Sequence, residues 1–191
     1  MWYYSEDELR ALGLKDFGER VRVSRKASIY GAAGIAIGSD SRIDDFCVLS
    51  GGEPGIVIGS YVHLAVFCSL IGRARIGLDD FSGLSSRVSV YSSSDDYSGV
   101  HLTNPTVPAE FTGVEHADVV IGRHVIVGAG SVILPGSIIG EGAAVGALSL
   151  VRGCCSEFGV YFGSPARKVG ERRRDLLDLE RRLRAGSDRK P

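Results

Sequence analysis

The sequence predicts an all-β solenoid in which short strands wind into stacked triangular coils. Two observations carry that prediction. The first is a period of six. Residues 121–156 read IGRHVI, VGAGSV, ILPGSI, IGEGAA, VGALSL and VRGCCS without a break, each hexad opening on Ile or Val. Residues 58–93 give a noisier run, IGSYVH, LAVFCS, LIGRAR, IGLDDF, SGLSSR and VSVYSS, in which Ser82 takes an aliphatic slot. A shorter run, IGSDSR, IDDFCV and LSGGEP, covers 37–54, and an irregular unit around residues 23–28 precedes it. The second observation is glycine, 26 of 191 residues or about 14%, against a usual ~7%. With no Gly-X-Y period and six Pro, that glycine is not collagenous.

A period of six fits neither the 3.6 of a helix nor the 2 of a free strand. It fits strands of a few residues joined by turns, with one aliphatic side chain per side pointing inward. The fifth hexad position is small or modest in size: Val125, Ser131, Ser137, Ala143, Ser149 and Cys155. Three sides make a coil of about 18 residues, and each coil contacts only its neighbours.

The remaining segments take their places around this solenoid. Residues 1–20 predict a helical cap, because Ser5 and Glu8 have capping-box spacing ahead of Leu9 and Leu12. It would shield the open first coil. The coils run over 21–169. Residues 94–120, with two Pro, Tyr97 and Phe111, interrupt the repeat and predict an extruded functional loop. Residues 170–191 predict a charged helix with Leu176, Leu177, Leu179 and Leu183 on a partial stripe, followed by a frayed tail.

Composition limits the function. The net charge of -1 provides no positive field for nucleic acid or an anionic membrane. No apolar run approaches the ~18 residues of a spanning helix, so no membrane insertion is expected. The acidic opening MWYYSEDELRAL predicts no secretory leader. Cys47, Cys68 and the adjacent Cys154 and Cys155 form no CxxC pair, which points to reduced thiols, a cytoplasmic location and no metal site.

The pattern IGxxVxVGxGSVILPG and the segment GSPARKV, residues 163–169, resemble the hexapeptide-repeat acyltransferases. Residues 81–99, FSGLSSRVSVYSSSDDYSG, with LTNPTVP at 102–108, resemble the members that act on sugars and sugar nucleotides in surface-polysaccharide biosynthesis. The resemblance implies a left-handed parallel β-helix, a homotrimer and acetyl-CoA as co-substrate. It implies a sugar or nucleotide-linked amino sugar as acceptor, with O- and N-acylation both open. Two other readings are a non-catalytic β-helical assembly module and a γ-type carbonic anhydrase. The latter needs three zinc-binding His on adjoining coils. Here His63, His101, His116 and His124 are separated by 38, 15 and 8 residues, without the close pair of that family.

Direct acyl transfer needs a base for the acceptor and a donor for the oxyanion. Related sugar acetyltransferases carry a His in a motif like YTAxHP, where this chain has Tyr91 to Asp96 with Asp in its place. Asp95 and Asp96 are therefore candidates for the site, or for a plain Asx turn. His63 is the leading candidate base, expected to pair with a loop Asp, and His116 is the second. His101 is expected to be a surface or substrate residue of the loop, and His124 a coil-corner residue. The resemblance places coenzyme A against the small residues Gly128, Ala129, Gly146 and Ala147. It places the phosphates near Arg152, Arg167 and Lys168. Ile126 stands where many members carry Trp.

Overall fold

The computed structural model describes residues 2–187. Its body is a parallel β-helix with three faces. The first face stacks seven strands, from Asp16–Phe17 through Ile35–Ile37, Ile56–Ile58, Ile76–Leu78, Val119–Ile121 and Ile138–Ile139 to Cys154–Cys155. The second runs from Arg22–Val23 through His63–Leu64 and Ala144–Val145 to Gly159–Phe162. The third runs from Ser28–Tyr30 to Leu150–Val151. Every pairing along these faces is parallel until Arg167–Glu171 folds back antiparallel on Gly159–Phe162.

The hexads become core in a simple way. The opening aliphatics Ile121, Val127, Ile133, Ile139, Val145 and Val151 are all buried, one per side. Between them the fifth-position residues Val125, Ser131, Ser137, Ala143 and Ser149 are buried at the corners, whereas Cys155 is buried in a first-face strand and stacks on Ile139. Buried Ser hydroxyls bond the neighbouring coil: Ser131 Oγ donates to the Gly146 carbonyl at 3.0 Å and accepts from Ser149 N at 3.2 Å.

The coil length differs from the uniform 18 residues expected. Ile121 pairs with Ile139, a step of 18, but Ile37 pairs with Ile58 and Ile58 with Leu78, steps of 21 and 20. The extra residues sit where the chain passes from the third face to the first, around 52–55 and 72–75. The frame consequently slips by two, and Leu78, Leu84 and Val90 stack on Ile58, Leu64 and Leu70. Ser82 thereby leaves the aliphatic slot and joins the corner row of Ser41, Val62 and Val125. It is buried there with no hydrogen-bond partner for its hydroxyl.

The predicted boundaries shift slightly. The cap helix α1 is Glu6–Ala11, closed by Ser5 N donating to Glu8 Oε2 at 2.7 Å and Glu8 N to Ser5 Oγ at 3.3 Å. The solenoid starts before residue 21, since Asp16–Phe17 already pairs with Ala36–Ile37. The insertion ends before 120, because Val119–Ile121 pairs directly with Ile76–Leu78. The loop therefore leaves the stack without interrupting it. At its neck Ser93–Ser94 pairs antiparallel with Glu115–His116.

The C-terminal helix α2, Leu176–Ser187, is held by charge rather than by its leucines. Leu176 and Leu177 are half-buried, whereas Leu179 and Leu183 are exposed. Glu180 shares a helix face with 176, 177 and 184 and is buried against the solenoid. It accepts from His124 Nε2 at 2.6 Å, Arg184 Nε at 2.7 Å and Arg123 at 3.3 Å. Residues 188–191 of the expected tail lie outside the described residues.

Burial pushes the Glu180 carboxyl up, but the donors Arg184, His124 and Arg123 outweigh it and hold the group below its ordinary 4.5. A depressed carboxyl contributes stability above its unfolded value and loses it as pH falls through the folded one. Acidification below about pH 4.5 is therefore expected to release α2 first. Glu180→Gln at neutral pH should weaken docking by about 2 kcal/mol, or roughly thirtyfold faster amide exchange over the helix. Unchanged protection would show that the leucines hold it.

Candidate active site

His63 sits on the second face, between Arg42 of the preceding coil and Gly83 of the next. Its Nε2 is 2.8 Å from Asp44 Oδ2 and 3.0 Å from an Arg42 terminal nitrogen. Arg42 donates to the same Asp44 oxygen at 3.0 Å, and its Nε lies 2.9 Å from Oδ1 without hydrogen-bond alignment. Nε2 thus faces both the Asp44 carboxylate and an Arg42 donor, and with the proton on Nε2 it donates to Asp44. That tautomer leaves Nδ1 as the acceptor. The ring is 45% exposed, enough to meet a substrate. The expected loop partner is thus corrected: His63 pairs with Asp44 on its own face, not with Asp95 or Asp96.

The loop carboxylate has a different task. Asp96 accepts from Ser98 N at 2.7 Å and His101 N at 2.9 Å, with His101 Nδ1 at 3.2 Å. Ser98 first, then the His101 amide, hold its carboxyl well below the usual range. Asp96 therefore closes the loop on itself. Asp95 is half-buried beside it, next to Ser94, whose hydroxyl donates to the Asp95 carbonyl at 3.2 Å. His116 is exposed at the loop neck, its Nδ1 2.7 Å from Ser93 Oγ. His124 is a corner residue, with φ +61° and its ring stacked on Phe81 at 5.1 Å. The four histidines thus divide among a face, a loop and a corner. Among the described residues no group of three His, Cys, Asp or Glu has metal-binding geometry.

The expected coenzyme A residues form a strip along one corner of the later coils. Ala129 and Ala147 are exposed there. Gly128 and Gly146 have structural reasons of their own. A Cβ on Gly128 would overlap the Ala147 backbone nitrogen and approach Ala147 Cα to 2.7 Å. A Cβ on Gly146 would strike the Phe162 ring. Arg152 and Arg167 are exposed, and among the described residues neither pairs with a carboxylate. Lys168 is engaged: its ammonium is 2.6 Å from Glu171 and donates to Ser156 Oγ at 3.2 Å. Glu171 raises its pKa.

The same corner in earlier coils carries Phe46, Phe67 and Arg87, which no hexad slot marks out. Phe46 and Phe67 stack with centroids 5.0 Å apart. Lys26 Nζ lies 5.4 Å from the first ring and the Arg87 guanidinium 5.0 Å from the second.

Comparison with known proteins agrees with this architecture. Residues 118–153 match the family described as bacterial transferase hexapeptide (six repeats). The chain is 49% identical over 180 residues to the dTDP-4-amino-4,6-dideoxy-D-glucose acyltransferase of Escherichia coli, covering 94% of each. The chain belongs to the hexapeptide-repeat acyltransferases. AntD, an N-acyltransferase from Bacillus cereus solved with dTDP and 3-hydroxybutyryl-CoA, is 42% identical with a TM-score of 0.93. The alignment covers 97% of this chain and 98% of that one. A variant of AntD solved with dTDP-4-amino-4,6-dideoxyglucose and coenzyme A is also 42% identical, with a TM-score of 0.92 and coverage of 96% and 97%. A maltose O-acetyltransferase from Clostridium difficile 630, 20% identical with a TM-score of 0.60, shares the fold alone.

Proposed function

We propose that the protein transfers an acyl group from acyl-CoA to the 4-amino group of dTDP-4-amino-4,6-dideoxyglucose. The observation that carries this reading is the near full-length 49% identity to an acyltransferase named for that sugar nucleotide. AntD, solved with dTDP and an acyl-CoA, supports the pairing of substrates. The relatives favour nitrogen over oxygen as the nucleophile.

The chemistry is a direct transfer. The amine nitrogen attacks the thioester carbonyl carbon, forming the C–N bond and a tetrahedral oxyanion. His63 Nδ1 takes the proton that the nitrogen must lose, and Asp44 stabilises the resulting imidazolium. Collapse breaks the C–S bond, and the thiolate leaves as coenzyme A after receiving that proton. Asp95 and Asp96 order the loop that closes over the acceptor. The pantetheine arm lies against Ala129 and Ala147, with Gly128 and Gly146 keeping the coil flat beneath it, and Arg152, Arg167 and Lys168 meet the phosphates. The working form is a cytoplasmic homotrimer serving surface-polysaccharide assembly, with each donor groove between two chains. A monomer with full activity by light scattering at micromolar concentration would defeat that assembly.

The test is release of free thiol from acetyl-CoA and 3-hydroxybutyryl-CoA with dTDP-4-amino-4,6-dideoxyglucose, using dTDP-glucose as the hydroxyl control. Release with the amine only is expected. Release with dTDP-glucose would make it an O-acyltransferase, and none with either would favour a non-catalytic assembly role. Ala147→Leu should raise the acyl-CoA KM about tenfold or more with kcat and melting temperature little changed. Unlike Gly128, Ala147 is exposed and leaves room for a larger side chain. An unchanged KM would move the donor elsewhere.

A further inference from the structure

We infer that Cys47 and Cys68 are a redox pair built into the fold: a hydroperoxide converts the two thiols to a disulfide that ties together the coils carrying Asp44 and His63. The device needs neither substrate.

Nothing in the packing calls for sulfur at these positions. Both side chains point into the corner between the second and third faces, and both are buried. Along the same row the later coils place Val88, Ser131 and Ser149, also buried. A corner of this kind is thus filled as well by Val or Ser as by Cys. The proposed acyl transfer uses neither thiol.

What sets the pair apart is its geometry. Val48 pairs with Ser69, so Cys47 and Cys68 are neighbours on adjoining rungs. Rungs repeat at about 4.8 Å, inside the roughly 4.4–6.8 Å that separates the Cα atoms of a disulfide. The Cys47 sulfur already leans across the gap. Its thiol donates to the Ala65 carbonyl at 3.1 Å, and Ala65 belongs to the coil of Cys68. The Cys68 thiol donates in the same way to the Ser85 carbonyl, one coil further on, at 3.1 Å. The two thiols are unlike in acidity. Cys68 beside it, with burial, pushes the Cys47 thiol well above its ordinary 9.0, whereas Cys47 holds the Cys68 thiol below that value. Cys68 therefore ionises first, and the thiolate is the form that attacks a peroxide.

The chemistry takes two steps. The Cys68 thiolate attacks one oxygen of the hydroperoxide and breaks the O–O bond, forming a sulfenic acid. The other oxygen leaves as hydroxide or alkoxide and takes up the proton that Cys68 gave up. The Cys47 sulfur then attacks the sulfenic sulfur, forming the S–S bond and displacing hydroxide, which receives the Cys47 proton as water. Two thiols lose two electrons, and the hydroperoxide is reduced to water and either water or an alcohol. The half-exposed Phe67 ring adjoins Cys68 at this turn, so the oxidant enters when the turn opens, and the reaction is slow. Parallel side chains in register keep their Cβ atoms about one rung apart, wider than the ~3.8 Å of a relaxed disulfide. Closure pulls the corner inward, which leaves the bond easily reduced again.

The experiment treats the intact protein with hydrogen peroxide, alkylates the remaining thiols in denaturant and maps the peptides by mass spectrometry, for wild type and Cys47→Ser. Wild type is expected to lose two hydrogens in a linked peptide pair joining residues 47 and 68 of one chain, and dithiothreitol should restore both thiols. Because the bond closes a whole coil, the oxidised protein should melt about 5 °C higher. Cys47→Ser places at this corner the residue used at 131 and 149, and should give neither the link nor the rise in Tm. Alkylation of both Cys47 and Cys68 after an exposure that has oxidised the exposed Cys154 would overturn the inference. A sulfinic acid at Cys68 with Cys47 still a thiol would do the same, as would a link between two chains or a rise in Tm that persists in Cys47→Ser. Should Cys47→Ser fail to fold, the peptide map of wild type decides alone.

Discussion

His63→Ala is expected to lower kcat by about 10²–10⁴, the worth of a positioned general base. The acyl-CoA KM should barely move, because in the proposed site the ring serves the acceptor and not the pantetheine. The expectation rests on one hydrogen bond. Asp44 lies 2.8 Å from Nε2 of a ring that solvent can reach, and the tautomer that donates to Asp44 offers Nδ1 as the base. Arg42 fixes Asp44 in turn, so the carboxylate cannot rotate away from the imidazole without losing its own partner. A loss below about tenfold would mean that an already neutral amine needs no base and gives its proton to water or to the leaving thiolate. Full activity in His63→Ala, with a large loss in His116→Ala, would move the base to the loop neck, where His116 now bonds Ser93.

Gly128→Ala should cost about 3 kcal/mol, a fall of roughly 10 °C in Tm for a chain of this size. The added methyl would meet backbone of the next coil, at Ala147, which no rotamer change relieves. Neighbouring coils are bonded on both sides of that point, with Gly128 N donating to the Val145 carbonyl at 2.7 Å and Leu148 N to Ala129 at 2.9 Å. The clash therefore spreads along the stack. A substitution there cannot report on coenzyme A contact, whereas Ala147→Leu can. Wild-type melting in Gly128→Ala would show that the coils part more easily than their close approach implies.

The coils from 121 to 151 were readable because hexads and register share one 18-residue step, which shortens to 16 only where Cys155 stacks on Ile139. Earlier coils were harder. Gly72 to Arg75 look like part of a hexad in LIGRAR, yet two residues of that corner are surplus and shift every later slot. The earlier surplus around 52–55 hid the partner of His63. An 18-residue step points to Asp45, while the true 21-residue step places Arg42 opposite and Asp44 within reach. A signal was present: FCVL at 46–49 returns as FCSL at 67–70, a repeat of 21 that marks both the coil length and the aromatic corner. The docking of α2 through Glu180 was not readable. Its partner His124 lies 56 residues away, and a leucine stripe is the ordinary reason for a helix to adhere.

The irregular lengths and the long loop leave the solenoid at one and the same edge, between the third face and the first. Sequence growth in this protein is thus confined to a single seam. The inner wall of the coil neither gains nor loses a residue when the seam lengthens, and doubling a segment there costs only about 0.6 kcal/mol of closure entropy. The stacked rungs form a rigid ruler whose spacing stays fixed, while length added at the seam changes only what is displayed along one edge.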